Sequence, residues 1–322
     1  MSGHKYRVTI GIPVFNGEKY LAQALDSILA QTYQDFEIII SDNASTDNTP
    51  NICREYASRD IRIRYHRNKR NLGSSANFNL VFNLSSSEYF KWAAYDDIIH
   101  PDYLLKCIEV LDANPSVVLC HSKTGRIDEH GEVTGDYNFE VKPNWSKLHN
   151  RFGDLIKFDN YDWVALFGLM RSSFLRKTRL FGSYISADRA LLAEIGLVGQ
   201  IYSVPELLFF RREHSETYTN RAHKSNQVKM QWWKPTKFQS KLTFTYWKMC
   251  LEYFNLVQHI PLKRSERVLC YIKIIKWLIA EGWILMLSDL FMNVISLFRW
   301  NKRLLARARA IAQFFWRLGG TK

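Results

Sequence analysis

The stretch Phe36-Glu37-Ile38-Ile39-Ile40-Ser41-Asp42-Asn43-Ala44-Ser45-Thr46-Asp47 decides the fold class. Its first half is a short apolar run, the pattern of a strand covered on both faces, which requires a layer of structure on each side. Its second half is turn chemistry, because Asp, Asn, Ser and Thr side chains bond the nearby backbone. Thr49-Pro50 follows, an N-cap with proline in the first helical position. Strand, polar turn and helix in that order form the repeating unit of a layered α/β protein.

The same rhythm extends outward in both directions. Upstream, residues 6–14 are β-branched and apolar, with Pro13 where a strand ends. Leu21, Ala24, Leu25 and Ile28 then recur at helical spacing and make one buried stripe. Downstream, the pattern predicts strands at 62–66, 88–94 and 116–123, a helix over 74–84, and another opened by His100-Pro101-Asp102 and running to Ala113. Further strands are expected at 163–170 and 200–210 and a helix at 187–196, with 133–163 irregular. Such alternation predicts a mainly parallel sheet with helices on its faces. Ligands collect at the carboxyl ends of strands in such sheets, which places Asp42, Asn71 and Asp96 on one edge.

The chain has 322 residues, 47% of them hydrophobic, enough for a large core. Its net charge of +13 is unevenly placed: residues 1–220 hold 25 Lys+Arg against 27 Asp+Glu, whereas 221–322 hold 19 against 4. This divides the chain into a sheet domain, 1–220, and a basic helical extension, 221–322. The extension also carries seven of the ten tryptophans, Trp232, Trp233, Trp247, Trp277, Trp283, Trp300 and Trp316. Tryptophan beside Lys and Arg suits the headgroup level of an anionic membrane. A spanning helix is not expected, because Lys273, Lys276, Glu281 and Asp289 interrupt the apolar stretch 268–298. Residues 299–317 read as an amphipathic basic helix, apolar at Leu304, Ala308, Ile311 and Phe315. The alternative is that these helices pack on the sheet domain or on a partner chain, including a second copy.

Five cysteines, with no C-x-x-C pair and no His cluster, predict free thiols in a reducing compartment rather than a structural zinc. The polar start of the chain carries no signal-peptide pattern, so a cytoplasmic location is expected, peripheral on the inner face of the membrane. Nucleic-acid binding is disfavoured: the basic residues avoid the sheet domain and no nucleic-acid-binding motif occurs. No G-x-G-x-x-G follows a strand, which excludes a dinucleotide-dependent dehydrogenase reading.

Three short segments carry chemistry. Asp96 and Asp97 stand side by side after an apolar strand, a costly arrangement unless a cation or several donors neutralise it. A divalent metal bridging to a diphosphate is one resolution and a helix cap the other. Asp42, at a strand end, either accepts from a nucleobase N–H or simply closes its turn. In Asn71-Leu72-Gly73-Ser74-Ser75-Ala76-Asn77, Gly73 lets the backbone approach a ligand, and the helix start offers N–H groups to a polar or anionic one.

In order and spacing these segments resemble a family 2 glycosyltransferase of the GT-A fold, over residues 8–214. Thr9-Ile10-Gly11-Ile12-Pro13-Val14-Phe15-Asn16-Gly17-Glu18 is similar to the family's opening strand and loop, 42–47 to its acidic turn, and Asp96-Asp97 to the end of its D-x-D motif. Where the full motif has a first acid, this chain has Ala94. The resemblance implies an inverting enzyme that uses a sugar nucleotide, with Pro13, Phe15, Glu18 and Asp42 around the base and ribose. Asn71 and Gly73 would lie along the nucleotide, and Asp96 with Asp97 would hold Mg²⁺ or Mn²⁺. Ser186-Ala187-Asp188 resembles the family's short acidic motif, which makes Asp188 the expected general base. Phe210-Arg211-Arg212-Glu213-His214 resembles an R-x-H found after the last strand, giving Arg212 or Arg211 to phosphate and His214 to the metal or, as a donor, to the diphosphate. A bacterial surface polysaccharide or lipid-linked glycan is the acceptor that this resemblance implies. An inactive member that only binds sugar nucleotide is the alternative that Ala94 raises.

Overall fold

A computed structural model describes residues 6–137, 143–157, 162–215, 217 and 244–297. Strands β1 (Val8–Val14) and β2 (Phe36–Asp42) are buried at every position, as their unbroken apolar runs require. They pair in parallel register, Val8 with Phe36 through Val14 with Asp42. β3 (Ile63–Arg67) adds to β2, and β4 (Tyr89–Trp92) to the other side of β1, both parallel. All four therefore end on one edge.

Beyond β4 the sheet becomes mixed. β5 is only Ile98–Ile99, while β6 (Val117–Ile127) is long and takes β7 (Val133–Tyr137) as an antiparallel neighbour. β8 (Leu169–Arg171) lies antiparallel between β4 and β6, and β9 (Gln200–Arg212) is parallel to β6. β5 then pairs antiparallel with the far end of β9, Ile98 against Phe210. The order is β3-β2-β1-β4-β8-β6-β9-β5, with β7 beside β6.

Helices α1 (Leu21–Leu29), α2 (Thr49–Arg59), α3 (Ser74–Asn83) and α4 (Tyr103–Ala113) connect the first strands. Leu21, Ala24, Leu25 and Ile28 are the buried face of α1. α2 begins one residue earlier than its sequence suggests. Asn48 is the capping position and Thr49 already helical, its hydroxyl accepting instead from Gly17 N–H at 2.8 Å.

Two expectations change in the middle of the chain. The segment 163–170 is mostly a 3₁₀ turn, Asp162–Phe167, and only Leu169–Arg171 is strand. Its apolar character reflects burial rather than extension, and the Lys91 ammonium and Tyr103 hydroxyl both reach the Phe167 carbonyl at its end. Lys91 lies wholly inside the sheet, its ammonium 4.5 Å from the Tyr103 ring centre, and burial pushes it down to about 8. The stretch expected to be irregular contains β7 and helix α5 (Leu148–Leu155). A short turn α6 (Ser172–Leu175) leads to α7 (Ala187–Val198).

Of the basic extension, helices α8 (Thr245–His259), α9 (Arg264–Trp277) and α10 (Trp283–Leu297) are described, with a π-helical turn, Leu278–Gly282, before α10. Met249, Tyr253, Leu256, Val257, Ile274 and Trp277 share one apolar cluster with Phe152, Leu155, Leu191 and Ile195. Tyr253 packs edge-on against Trp277 at 5.3 Å. The outer face is different: Val268, Ile272, Ile275, Ile279, Trp283, Leu287, Leu290 and Val294 are all exposed, at spacings of three and four. No helix among the described residues is long and apolar enough to cross a membrane. The expected amphipathic helix at 299–317, and Trp232, Trp233, Trp300 and Trp316, lie outside the described residues. The five cysteines are buried free thiols.

Candidate active site

The edge where β1 to β4 end is built by loops that bond to one another. Backbone N–H groups of Asn16, Gly17 and Glu18 donate to Ser45 Oγ, Thr49 Oγ1 and Asp47 Oδ2. In return Asn16 Oδ1 accepts from Thr46 N–H and Glu18 Oε2 from Asn48 N–H, each within 2.9 Å. Glu18 thus bridges the two loops while staying exposed. Phe15 is 41% exposed just beyond β1, an apolar face open at the mouth, whereas Pro13 is buried within the strand. Gly17 has no room for a side chain: a Cβ there would stand 2.8 Å from the Tyr95 ring.

Asp42 is completely buried, and both carboxylate oxygens face protein. Oδ1 accepts from Ser45 N–H and Oδ2 from the Tyr65 hydroxyl, each at 2.8 Å, with Arg67 Nε at 3.4 Å from Oδ2. Here it closes the turn, the role its residue type favours after a strand. The third loop hangs on buried amides. Asn43 Nδ2 donates to Asn71 Oδ1 at 2.9 Å, and Asn43 Oδ1 accepts from Leu72 N–H. Asn68, which the sequence does not single out, joins Asn43 to Asn77, and Asn77 bonds Ser41 on β2. Gly73 then takes φ 86°, a left-handed value that glycine adopts without strain, and starts α3.

Asp96 and Asp97 precede β5, so the pairing of β5 with β9 brings them beside residues 211–214. The two carboxylates diverge. Asp96 Oδ2 meets His214 Nε2 at 2.9 Å, whereas Asp97 Oδ1 accepts from Arg212 N–H at 3.0 Å. Asp97 is buried; that burial, and then the neighbouring Asp96 charge, hold its carboxyl well above the ordinary range. His214 is only 5% exposed at its side chain and packs on Tyr20, ring centres 4.7 Å apart.

Arg212 does not present a phosphate clamp. It is 1% exposed, and its guanidinium donates to the Asp96, Asp128 and Glu129 carbonyls and to Gln23 Oε1. It also lies 4.6 Å from the Tyr20 ring centre. With its fork turned onto protein acceptors, it braces the Asp96 step against α1 and the β6–β7 turn. Arg211 bonds the Tyr137 hydroxyl and lies 3.7 Å from Glu213.

Asp188 comes from a different element, α7. It occupies the first turn of α7 behind Ser186, a left-handed residue at φ 65°, and its Oδ1 accepts from Arg189 N–H at 2.9 Å. It hydrogen-bonds neither Asp96 nor His214. Part of its surface is open, yet surrounding protein pushes its carboxyl above the ordinary range, with the Arg189 charge opposing.

A metal can be tested against these donors. Among the described residues no cluster of three His, Cys, Asp or Glu side chains could hold one. Two donors do converge, and neighbouring ligands about 2.1 Å from an octahedral ion stand about 3.0 Å apart, close to the 2.9 Å between Asp96 Oδ2 and His214 Nε2. A carboxylate and an imidazole at that spacing are compatible with two ligands of a hard divalent ion, whose remaining ligands would have to come from outside the described side chains.

The fold and this edge have counterparts. The first 349 residues of Staphylococcus aureus TarS, solved with UDP-GlcNAc, superpose with a TM-score of 0.61 at 16% identity, covering 98% of this chain and 92% of that one. The mannosyltransferase PcManGT of Pyrobaculum calidifontis, solved with GDP-Man and Mn²⁺, gives 0.51 at 14% identity, covering 97% and 81%. These likenesses establish a GT-A type of fold. In sequence, the glycosyltransferase GlyA of Streptococcus pneumoniae serotype 4 is 30% identical over 235 residues, 70% of this chain but 32% of that protein. This chain thus spans about a third of that relative. The model for glycosyl transferase family 2 matches residues 9–176, which contain the interlocked loops, the Asn71–Gly73 turn and the Asp96–Asp97 step. On that match over more than half its length, the chain belongs to glycosyl transferase family 2.

Proposed function

We propose that this protein is an inverting glycosyltransferase that moves a sugar from a nucleoside diphosphate sugar, a UDP-sugar first, to a hydroxyl of a glycan or lipid-linked acceptor of a cell-surface polysaccharide. The observation that carries this reading is the meeting of Asp96 and His214 on the edge formed by the β1, β2 and β3 loops. UDP-GlcNAc in TarS and GDP-Man with Mn²⁺ in PcManGT support a donor of that class. Phe15 offers the base an apolar face at the end of β1, where Pro13 itself is buried, and Glu18 and the turn anchored by Asp42 border the ribose. Asn71 orients the Gly73 backbone, where α3 opens toward the phosphates. Asp96 and His214 would hold Mg²⁺ or Mn²⁺, with Asp97 behind them. Such an ion supplies positive charge against the diphosphate.

In the transfer, the acceptor oxygen forms its bond to the anomeric carbon as that carbon's bond to the diphosphate oxygen breaks. The electron pair leaves with the nucleoside diphosphate. The hydroxyl proton passes to Asp188. Incubating the full-length protein with a panel of sugar nucleotides and manganese is expected to release nucleoside diphosphate from one of them. Chelator should stop that release and manganese restore it. Release undiminished in chelator would remove the metal, and no release from any donor would leave an inactive binder.

We also propose that the exposed stripe on α9 and α10 docks on an anionic membrane, where a lipid-linked acceptor resides. Isoleucine, leucine and tryptophan at one face, with Arg264 and Lys276 exposed on α9, suit the headgroup boundary. Truncation at 268 would also remove Cys270, Ile274 and Trp277 from the core. The better probe is Ile272→Glu with Ile279→Glu and Leu287→Glu, all at exposed positions. Wild type is expected to float with phosphatidylglycerol vesicles and the triple variant to lose about 10²-fold in partitioning, since each side chain forgoes apolar burial. Equal flotation of both would end the docking reading.

A further inference from the structure

Tyr20 holds the capping position of α1, just after the loop that carries Phe15 and Glu18. It is 3% exposed, yet it belongs to neither of the two apolar clusters that make up the core among the described residues. Its ring neighbours are polar and cationic instead. The His214 ring lies 4.7 Å away, centre to centre, tilted by 49°. The Arg212 guanidinium stands 4.6 Å from the Tyr20 ring centre and the Lys19 ammonium 5.0 Å. A buried tyrosine hydroxyl usually finds a partner, but this one makes no hydrogen bond among the described residues. The ring face, which attracts cations, is therefore what Tyr20 offers its surroundings.

Each contact leads to the proposed metal pair. His214 is one member, its Nε2 2.9 Å from Asp96 Oδ2. Arg212 reaches the other, because its Nε donates to the Asp96 carbonyl at 2.9 Å. The other two guanidinium nitrogens donate to the Asp128 and Glu129 carbonyls and to Gln23 Oε1. With these edges committed to protein acceptors, the flat face is what remains for the Tyr20 ring to hold. Lys19 closes the same corner, pairing with Glu129 at 2.9 Å. Tyr20 is itself fixed by its backbone: its N–H donates to the Gly17 carbonyl at 3.2 Å, and its carbonyl accepts from Ala24 N–H at 3.1 Å.

One ring thus touches both halves of the pair, His214 directly and Asp96 through Arg212. Without it the imidazole is free to tilt and the Asp96 segment to drift, although neither ligand has been altered. Groups that orient ligands in this way govern metal affinity nearly as strongly as the ligands do.

We infer that Tyr20 is a positioning residue for the metal pair, its ring holding the His214 imidazole and, through Arg212, Asp96 at the spacing a divalent ion requires. The inference rests on the reading of Asp96 and His214 as metal ligands. Its test is manganese binding rather than turnover. Full-length protein is titrated with Mn²⁺ in the presence of UDP and, in parallel, of GDP. Electron paramagnetic resonance gives the affinity, and spin-echo modulation reports the nitrogen of a bound imidazole. Wild type is expected to show that nitrogen signature and His214→Ala to lack it. Tyr20→Phe keeps the ring and should keep both affinity and signature. Tyr20→Leu removes the ring and should weaken manganese binding about tenfold or more, the usual cost of losing a group that orients a ligand, with the signature diminished. Should Tyr20→Leu fail to fold, pentafluorophenylalanine in place of Tyr20 keeps the size of the ring while reversing its charge distribution, and should weaken binding in the same direction. No nitrogen signature in wild type with either nucleotide would overturn the metal reading and this inference with it. A positive wild type whose affinity and signature persist in folded Tyr20→Leu, or in the fluorinated variant, would overturn the role of Tyr20 alone. Equal losses in Tyr20→Phe and Tyr20→Leu would place the effect on the hydroxyl and overturn the role of the ring.

Discussion

Asp96→Asn in the full-length protein is expected to lower transfer from the sugar nucleotide about 10³-fold, because several kcal/mol of charge stabilisation at the diphosphate would be lost with a carboxylate proposed to hold the metal. The fold should survive. Asp96 braces the site through its backbone carbonyl, which accepts from Arg212 Nε, and that bond does not depend on the side chain. Asparagine can also keep a hydrogen bond to His214, so the loss is one of charge rather than of shape. Asp97→Asn is the control. Asp97 Oδ1 accepts from Arg212 N–H, a bond the asparagine oxygen reproduces, and burial already biases this carboxyl toward its neutral form. Its transfer rate should stay within about tenfold of wild type, the cost of one modest interaction. Manganese titrations of both variants give the comparison. Equal losses in the two would mean that the adjacent carboxylates share the ion, and an Asp96→Asn enzyme of normal rate would end the metal assignment.

The two carboxylates are separable only in three dimensions, and the same holds for most of the site. The strands β1 and β2 were legible in the sequence because every residue in them is buried, and a short unbroken apolar run between turn residues suits a strand covered on both faces. The loops at their ends were legible as turns for the same local reason. What each loop side chain touches was not. Arg212 reads as a phosphate ligand through the resemblance of its segment to an R-x-H. Here its fork meets Gln23, 189 positions away, and the carbonyls of Asp128 and Glu129, and only the antiparallel pairing of β5 with β9 brings these together. Asp42 was similar: the Tyr65 hydroxyl that occupies it comes from β3, and no spacing rule announces that partner. The segment 163–170 misled because apolar composition measures burial, and a buried 3₁₀ turn has the same composition as a strand. His214 was assigned by resemblance alone, and the structure sets its Nε2 2.9 Å from Asp96 Oδ2, a neighbour that no spacing rule announces.

Asp188→Asn is the second large effect: transfer should slow about 10²- to 10⁴-fold, the usual contribution of a general base, while nucleotide affinity remains. The substitution separates two roles that the structure leaves on one residue. In its local role, Asp188 sits inside the first turn of α7, behind the Ser186 capping position, and accepts from Arg189 N–H, a bond that an asparagine oxygen reproduces. As a base, it must lose a proton before it can take one, and the amide cannot. Loss of rate with an unchanged melting temperature therefore identifies the base, whereas unchanged rate reduces Asp188 to its local role. The pH profile adds a sign. Burial raises the Asp188 carboxyl, so its reactive carboxylate form is lost at a higher pH than for an ordinary aspartate. Wild-type transfer should accordingly fall on an acid limb displaced upward from the usual carboxylate range, and the residual rate of Asp188→Asn should not show that limb. A limb that persists in the variant would assign the titration to another group.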